Sequence, residues 1–143
     1  MNMKTFGILT ILAIFVFATA CNEEEETITP AKTVILSTDN STYIHIDDIV
    51  FTIYNETSNS VNHGICQNSF DFDYEIEKKE GNQWISLDTI TCSGFAWTEL
   101  TANSTNSDTL SANLLDAGDY RIKMKFIIQS NNTALYSNLF NIK

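Results

Sequence analysis

Basic residues are scarce in this chain. Eight Lys and Arg stand against 18 Asp and Glu, a formal charge of −10 over 143 residues. Phosphate backbones are held by clustered Lys and Arg, so nucleic acid is excluded as a partner. An anionic membrane surface would repel the chain as well. Glycine is also scarce. Five glycines form neither a phosphate-cradling loop nor a dinucleotide fingerprint, and no cofactor is implied. Histidine is reduced to His45 and His63, so any hydrolytic triad would have to be built on one of these. Paired Cys-x-x-Cys spacing is missing. Past the first 20 residues no apolar period of 3.6 is sustained, which leaves no amphipathic helix to build a fold from.

The one long apolar run lies at the N-terminus. Lys4 precedes Phe6 to Ala18, and the small residues Ala18, Thr19 and Ala20 precede Cys21. The run is shorter than the roughly 20 residues a membrane span needs, and has the proportions of a secretory signal. Residues 1–20 are therefore expected to be removed. A Cys directly after small residues resembles a bacterial lipobox, although Ala18 stands where Leu is usual. The resemblance implies that Cys21 becomes a lipidated N-terminus. Ordinary cleavage near Ala20 would instead leave a free thiol in an oxidising space, a liability. Residues 21–32, with the acidic run Glu23 to Glu26, form a tether with little to bury. The acidic run after the Cys resembles the export signal of surface lipoproteins of Bacteroidetes. It implies outer-membrane attachment through lipid, with display at the cell surface.

With Cys21 lipidated, Cys66 and Cys92 remain as a pair that an exported protein can oxidise to a disulfide. A zinc site on His63, Cys66 and Cys92 is the alternative, and it lacks a fourth ligand. His63 and Cys66 could also be read as a Cys–His nucleophile pair, without a marked orienting acid.

Residues 33–143 read as short strands separated by polar turns. Tyr120, Ile122, Met124, Phe126 and Ile128 alternate with Arg121, Lys123 and Lys125, the pattern of a strand with one buried face. This is the expected central strand. Asp116-Ala117-Gly118-Asp119 ahead of it, with Tyr120 two residues after Gly118, has the form of a tyrosine corner. Ile49, Phe51 and Ile53 define a second core strand. Phe70 to Lys78 defines a third, with Phe70, Phe72, Tyr74 and Ile76 inward and Asp71, Asp73, Glu75 and Glu77 outward. Gly81-Asn82 turns this strand into a hairpin with Trp84 to Leu87. Glu56 to Gly64 reads as a polar loop, and Ser93 to Asn106 as a long one anchored by Phe95, Trp97 and Leu100. A strand from Ala134 to Ile142 closes the chain. The whole is an all-β protein, an antiparallel β-sandwich of about seven strands.

Two constellations could carry function. The acidic stripe Asp71, Asp73, Glu75, Glu77 could hold calcium or act as an acid/base pair. Its outward face would equally form a charge ladder with Arg121, Lys123 and Lys125 on a neighbouring strand. Phe95 and Trp97, aromatics in a polar loop at a sandwich end, are the candidate binding loop, unless Trp97 plugs the core. No metal site or catalytic residue is assigned.

Three patches carry a family resemblance. They are Ile49-Val50-Phe51-Thr52-Ile53-Tyr54-Asn55, the hairpin Glu77 to Trp84, and Gly118-Asp119-Tyr120-Arg121-Ile122 with Ser137-Asn138-Leu139-Phe140-Asn141-Ile142. Together they resemble bacterial immunoglobulin-like domains, including those related to an intracellular proteinase inhibitor of bacilli. Ile122 occupies the position of the second Cys of antibody-type domains, so Cys66–Cys92 would be a different staple. The resemblance implies a non-enzymatic binding or scaffold module, with an unknown protein or glycan ligand. Proteinase inhibition through the 93–106 loop is the alternative.

Overall fold

The computed structural model describes residues 33–143, apart from 68, 70, 88–91 and 93. The expected signal, Cys21, the tether and Phe70 lie outside the described residues. The domain is almost all strand, and it is an immunoglobulin-like sandwich of two sheets. One sheet has three strands in the order β1 (Val34–Thr38), β3 (Asp48–Asn55), β8 (Ser104–Ser111). The other is built around β9 (Gly118–Ile128), the expected central strand. On one edge β9 pairs with β10 (Asn131–Tyr136) and then β11 (Phe140–Ile142). On its other edge it pairs with β5 (Tyr74–Glu80) and then β4 (Val61–Cys66). β2 (Thr42–Tyr43) extends β11, β6 (Gln83–Leu87) extends β5, and β7 (Phe95–Leu100) extends β4. Eleven strands are thus described where about seven were expected.

Alternation places the core as the sequence predicts. Ile49, Phe51 and Ile53 of β3 face Tyr120, Ile122, Met124 and Phe126 of β9, all buried. Phe51 stacks edge-on against Phe72 and Tyr74, with centroids 5.7 and 4.7 Å away. Gly118 takes a φ of +153°, a backbone conformation that other residues rarely adopt, so glycine suits the entry to the corner. Tyr120 then donates its hydroxyl to the Asp116 carbonyl at 2.7 Å, completing the corner. Tyr120→Phe should cost about 0.5–1.5 kcal/mol in a denaturant melt, the net worth of one hydrogen bond.

The polar residues of the resemblance patches tie the framework. Between β10 and β11 the chain steps away from β9 at Ser137. Its N–H bonds the Ile122 carbonyl at 2.8 Å, and its hydroxyl accepts the Ile122 N–H at 2.9 Å. Asn138 crosses to the other sheet, accepting the Thr38 N–H at 2.7 Å and donating to Thr38 Oγ1 at 2.8 Å. This step divides the single closing strand expected from Ala134 to Ile142 into two.

The charge ladder exists, with a corrected membership. Glu77 opposes Arg121 and Glu75 opposes Lys123. Their carboxylates accept at 2.6 and 2.7 Å. The Lys123 ammonium holds the Glu75 carboxyl below its usual range, and the Glu75 carboxylate raises Lys123 in turn. The Arg121 guanidinium lies between the rings of Trp84 and Tyr136, 4.3 and 4.1 Å from their centroids. Asp71 and Asp73 are outside the ladder because β5 begins only at Tyr74. Before it the chain turns toward β4, where Phe72 bridges Ile65 and Asp73 N–H bonds the Gly64 carbonyl at 3.0 Å. A double-mutant cycle on Lys123→Glu and Glu75→Lys should therefore show coupling of about 0.2–1 kcal/mol that shrinks with salt. The same cycle with Asp73→Lys should show none.

Candidate functional site

Phe95 and Trp97 are on β7, and so not in a loop. The sequence hides this strand because polar residues surround its three large apolar anchors. Residues 93–106 are mostly consumed by β7 and β8, with a tight turn between. The long loop expected to serve an inhibitor is therefore replaced by two strands. β4 likewise occupies the end of the expected polar loop Glu56 to Gly64, where Asn62, His63 and Gly64 are poor strand formers. Its signal was the alternation Val61, His63, Ile65. Val61 and His63 are buried on the inner face opposite Leu100 and Thr98. Polar His63 was not expected in the core.

On β7 the alternation sends Phe95 and Trp97 to the outer face, where they remain 47% and 40% exposed. Trp97 is thus no plug over the core. The two rings meet edge to face, with centroids 4.9 Å apart. In the β4–β7 ladder Trp97 lies opposite Gly64 and Phe95 opposite Cys66. A Cβ at Gly64 would come within 2.8 Å of the Phe95 ring and 3.1 Å of Asp73 Cβ. Glycine here lets the Phe95 ring and Asp73 lie close over the strand.

A fork in the sheet makes the surface concave at this point. The partner of β9 changes from Tyr74 of β5, opposite Met124, to His63 of β4, opposite Phe126. Lys125 stands between, on the outer face. The resulting groove, of about 690 Å³, is lined by Phe95, Trp97, Asp73, Lys125, Asn132 and Thr133. One carboxylate, one ammonium and an amide thus border an aromatic wall, with Thr133 turned inward beside Phe126. Lys125 also reaches Glu75 at 3.4 Å, which anchors the groove to the end of the charge ladder.

The disulfide fixes the same corner. Cys66 closes β4 and is joined to Cys92, just ahead of β7, with Cα atoms 5.1 Å apart. With both sulfurs committed to each other, neither the zinc reading nor the Cys–His nucleophile reading stands. His63 points into the core instead. It is fully buried, 4.9 Å from the Phe72 ring and 6.4 Å from the Phe126 ring. Its Nδ1 lies 3.3 Å from the Gly64 carbonyl, and among the described residues Nε2 has no hydrogen-bond partner. His45 is exposed in the turn after β2. Among the described residues no group of three His, Cys, Asp or Glu is placed to hold a metal ion.

Burial lowers the pKa of His63, so it is neutral in the fold and takes up a proton more readily once unfolded. The unfolded chain binds more protons, and stability rises with pH. The His63 contribution is complete above the unfolded pKa of about 6.5 and declines as pH falls below it. Denaturant melts at neutral and mildly acidic pH should show this loss. In His63→Phe the slope through that window should flatten.

The match to a family of known domains agrees with this architecture. The bacterial Ig-like domain family matches residues 30–139. The chain belongs to that family. No curated protein matches it. Among solved structures, a β-glucosidase from Erythrobacter marinus is similar at 10% identity, over 76% of this chain and 15% of the enzyme, with a TM-score of 0.39. The chain spans so little of that enzyme, at so low a score, that the likeness bears on nothing in the site. Bacterial Ig-like domains are generally non-catalytic, and the family supports a binding or scaffold module.

Proposed function

We propose that this Ig-like domain is a non-enzymatic binding module, held by a lipid on Cys21 and displayed at the outer-membrane surface of a bacterium. Its contact site is the Phe95–Trp97 groove. The observation that carries the reading is the pair of exposed aromatic rings over Gly64, on strands pinned by the Cys66–Cys92 bond. Large apolar rings left in water oppose the hydrophobic effect, and a rigid pair of them bordered by polar groups suits contact with a ligand. The anchor rests on the sequence: a signal-length apolar run, small residues before Cys21, and a polar tether after it. Two or three acyl chains suffice for stable attachment, where one is marginal.

Two experiments test the reading. Cys21→Ser should leave a folded protein that no longer fractionates with membranes, and unchanged fractionation would remove the anchor. For the groove, soluble protein beginning after Cys21 is applied to envelope material of the source bacterium. The wild type should be retained. The double variant Phe95→Ala, Trp97→Ala should be released while melting within a few degrees of the wild type. Equal retention of the two would remove the groove from the function.

A further inference from the structure

We infer that the groove takes a neutral glycan chain, a deduction that rests on the groove being the contact site. Charge argues first. The chain as a whole carries −10, which repels polyanions. Within the groove the one ammonium, Lys125, is already paired with Glu75 at 3.4 Å and the Asp73 carboxylate lines the wall, so an anionic ligand is disfavoured. A carboxylate, an amide and an ammonium together supply acceptors and donors for the hydroxyls of a polyol. Aromatic rings argue second. The C–H face of a pyranose is apolar, and its hydroxyls point outward around the ring. Phe95 and Trp97 supply the apolar surface, and Asp73, Asn132 and Lys125 supply the border. Size argues third. A volume of about 690 Å³ is in the range of small-molecule clefts, roughly 300–1,000 Å³. A protein partner would need about 800 Å² of surface with a core low in charge. Next to this groove lies the ladder of Glu75, Glu77, Arg121 and Lys123, which confines the apolar area. Finally, Gly64 and the disulfide hold the rings in place before any ligand arrives, which lowers the ordering cost of stacking a sugar on them.

The test has two arms. In the first, ¹⁵N NMR spectra of the soluble protein are recorded with cellohexaose, xylohexaose, mannohexaose and maltohexaose at about 1 mM, the range of a weak single site. At least one sugar should shift the Trp97 indole and Asn132 amide signals while leaving Trp84 unmoved. Trp97→Ala should weaken that binding by about tenfold, as loss of one stacking surface predicts. Asn132→Ala, on an exposed hairpin position, should weaken it while keeping the fold intact. In the second arm, envelope material is treated with protease or with periodate, which cleaves vicinal diols. Retention of the wild type should survive protease and disappear after periodate. No shift with any of the four sugars, together with retention that is lost to protease and survives periodate, overturns the glycan assignment and leaves the groove as a protein-binding site. No shift and no retention overturns both readings.

Discussion

Replacing Cys66 and Cys92 together with alanine should lower the free energy of unfolding by about 3–4 kcal/mol. The bond spans 26 positions of chain, and closing a loop of that size removes roughly this much freedom from the unfolded state. Within that loop lies the β5–β6 hairpin, so the unbridged chain must find two sheet pairings without the staple. The effect should also be local. Among the described residues β7 has β4 as its one ladder partner, and Cys92 tethers its start. Hydrogen exchange should therefore speed up first at Phe95 to Trp97, and groove binding should weaken before the domain unfolds. Denaturant melts of the wild type, the double variant and the reduced wild type check this. Reduced wild type and variant should coincide.

A comparable loss, about 2–4 kcal/mol, is expected for Asn55→Ala. Asn55 ends β3 and is buried at 1% exposure. Its Nδ2 donates to the carbonyls of Asn59, Leu100 and Thr101 at 2.9, 3.1 and 2.9 Å. Its Oδ1 accepts the Thr57 N–H at 3.1 Å and hydroxyl at 2.7 Å. One side chain thus closes the turn after β3 and fastens it to the end of β7 in the opposite sheet. Removing it strands several carbonyls away from water, at about 1–3 kcal/mol for each that stays unsatisfied. Asn55→Asp keeps the size and the acceptor but replaces the donor with charge facing carbonyls. It should lose at least as much as the alanine variant. A milder loss in Asp than in Ala would mean that volume matters here more than the hydrogen bonds.

The strands with long alternation were legible because one face of each is buried. β3 and β9 matched their predicted inward residues, except that Ile128 at the end of β9 is only half-buried. The tyrosine corner and the disulfide were legible from single residues whose chemistry allows few alternatives. The ladder was legible in kind, but its register was not. Phe70 to Lys78 alternates without a break, yet the chain leaves β9 before Tyr74, where backbone bonds to Gly64 and Cys66 take over. Alternation records which face a residue takes, not which neighbour it meets. β4 and β7 were missed for a different reason. β4 buries a histidine and contains a glycine needed by a ring on another strand, and β7 shows its aromatics to solvent. Each breaks the hydrophobic pattern at the place where the groove is built. The pair Phe95 and Trp97 was found from composition alone, and the fork that surrounds it required the topology. Asn55 ends the Ile49 to Asn55 strand, and its five hydrogen bonds depend on residues up to 46 positions away.

The central claim is that the outer-face groove, and no other part of the sandwich, meets the ligand. The most direct measurement is photo-crosslinking on whole cells from a reactive phenylalanine analogue at position 95. The control carries the analogue at position 35, an exposed site on β1 of the other sheet. The account predicts a defined high-mass adduct from position 95 that disappears with Trp97→Ala, and none from position 35. Equal adducts from both positions, or an adduct from position 35 alone, would contradict it.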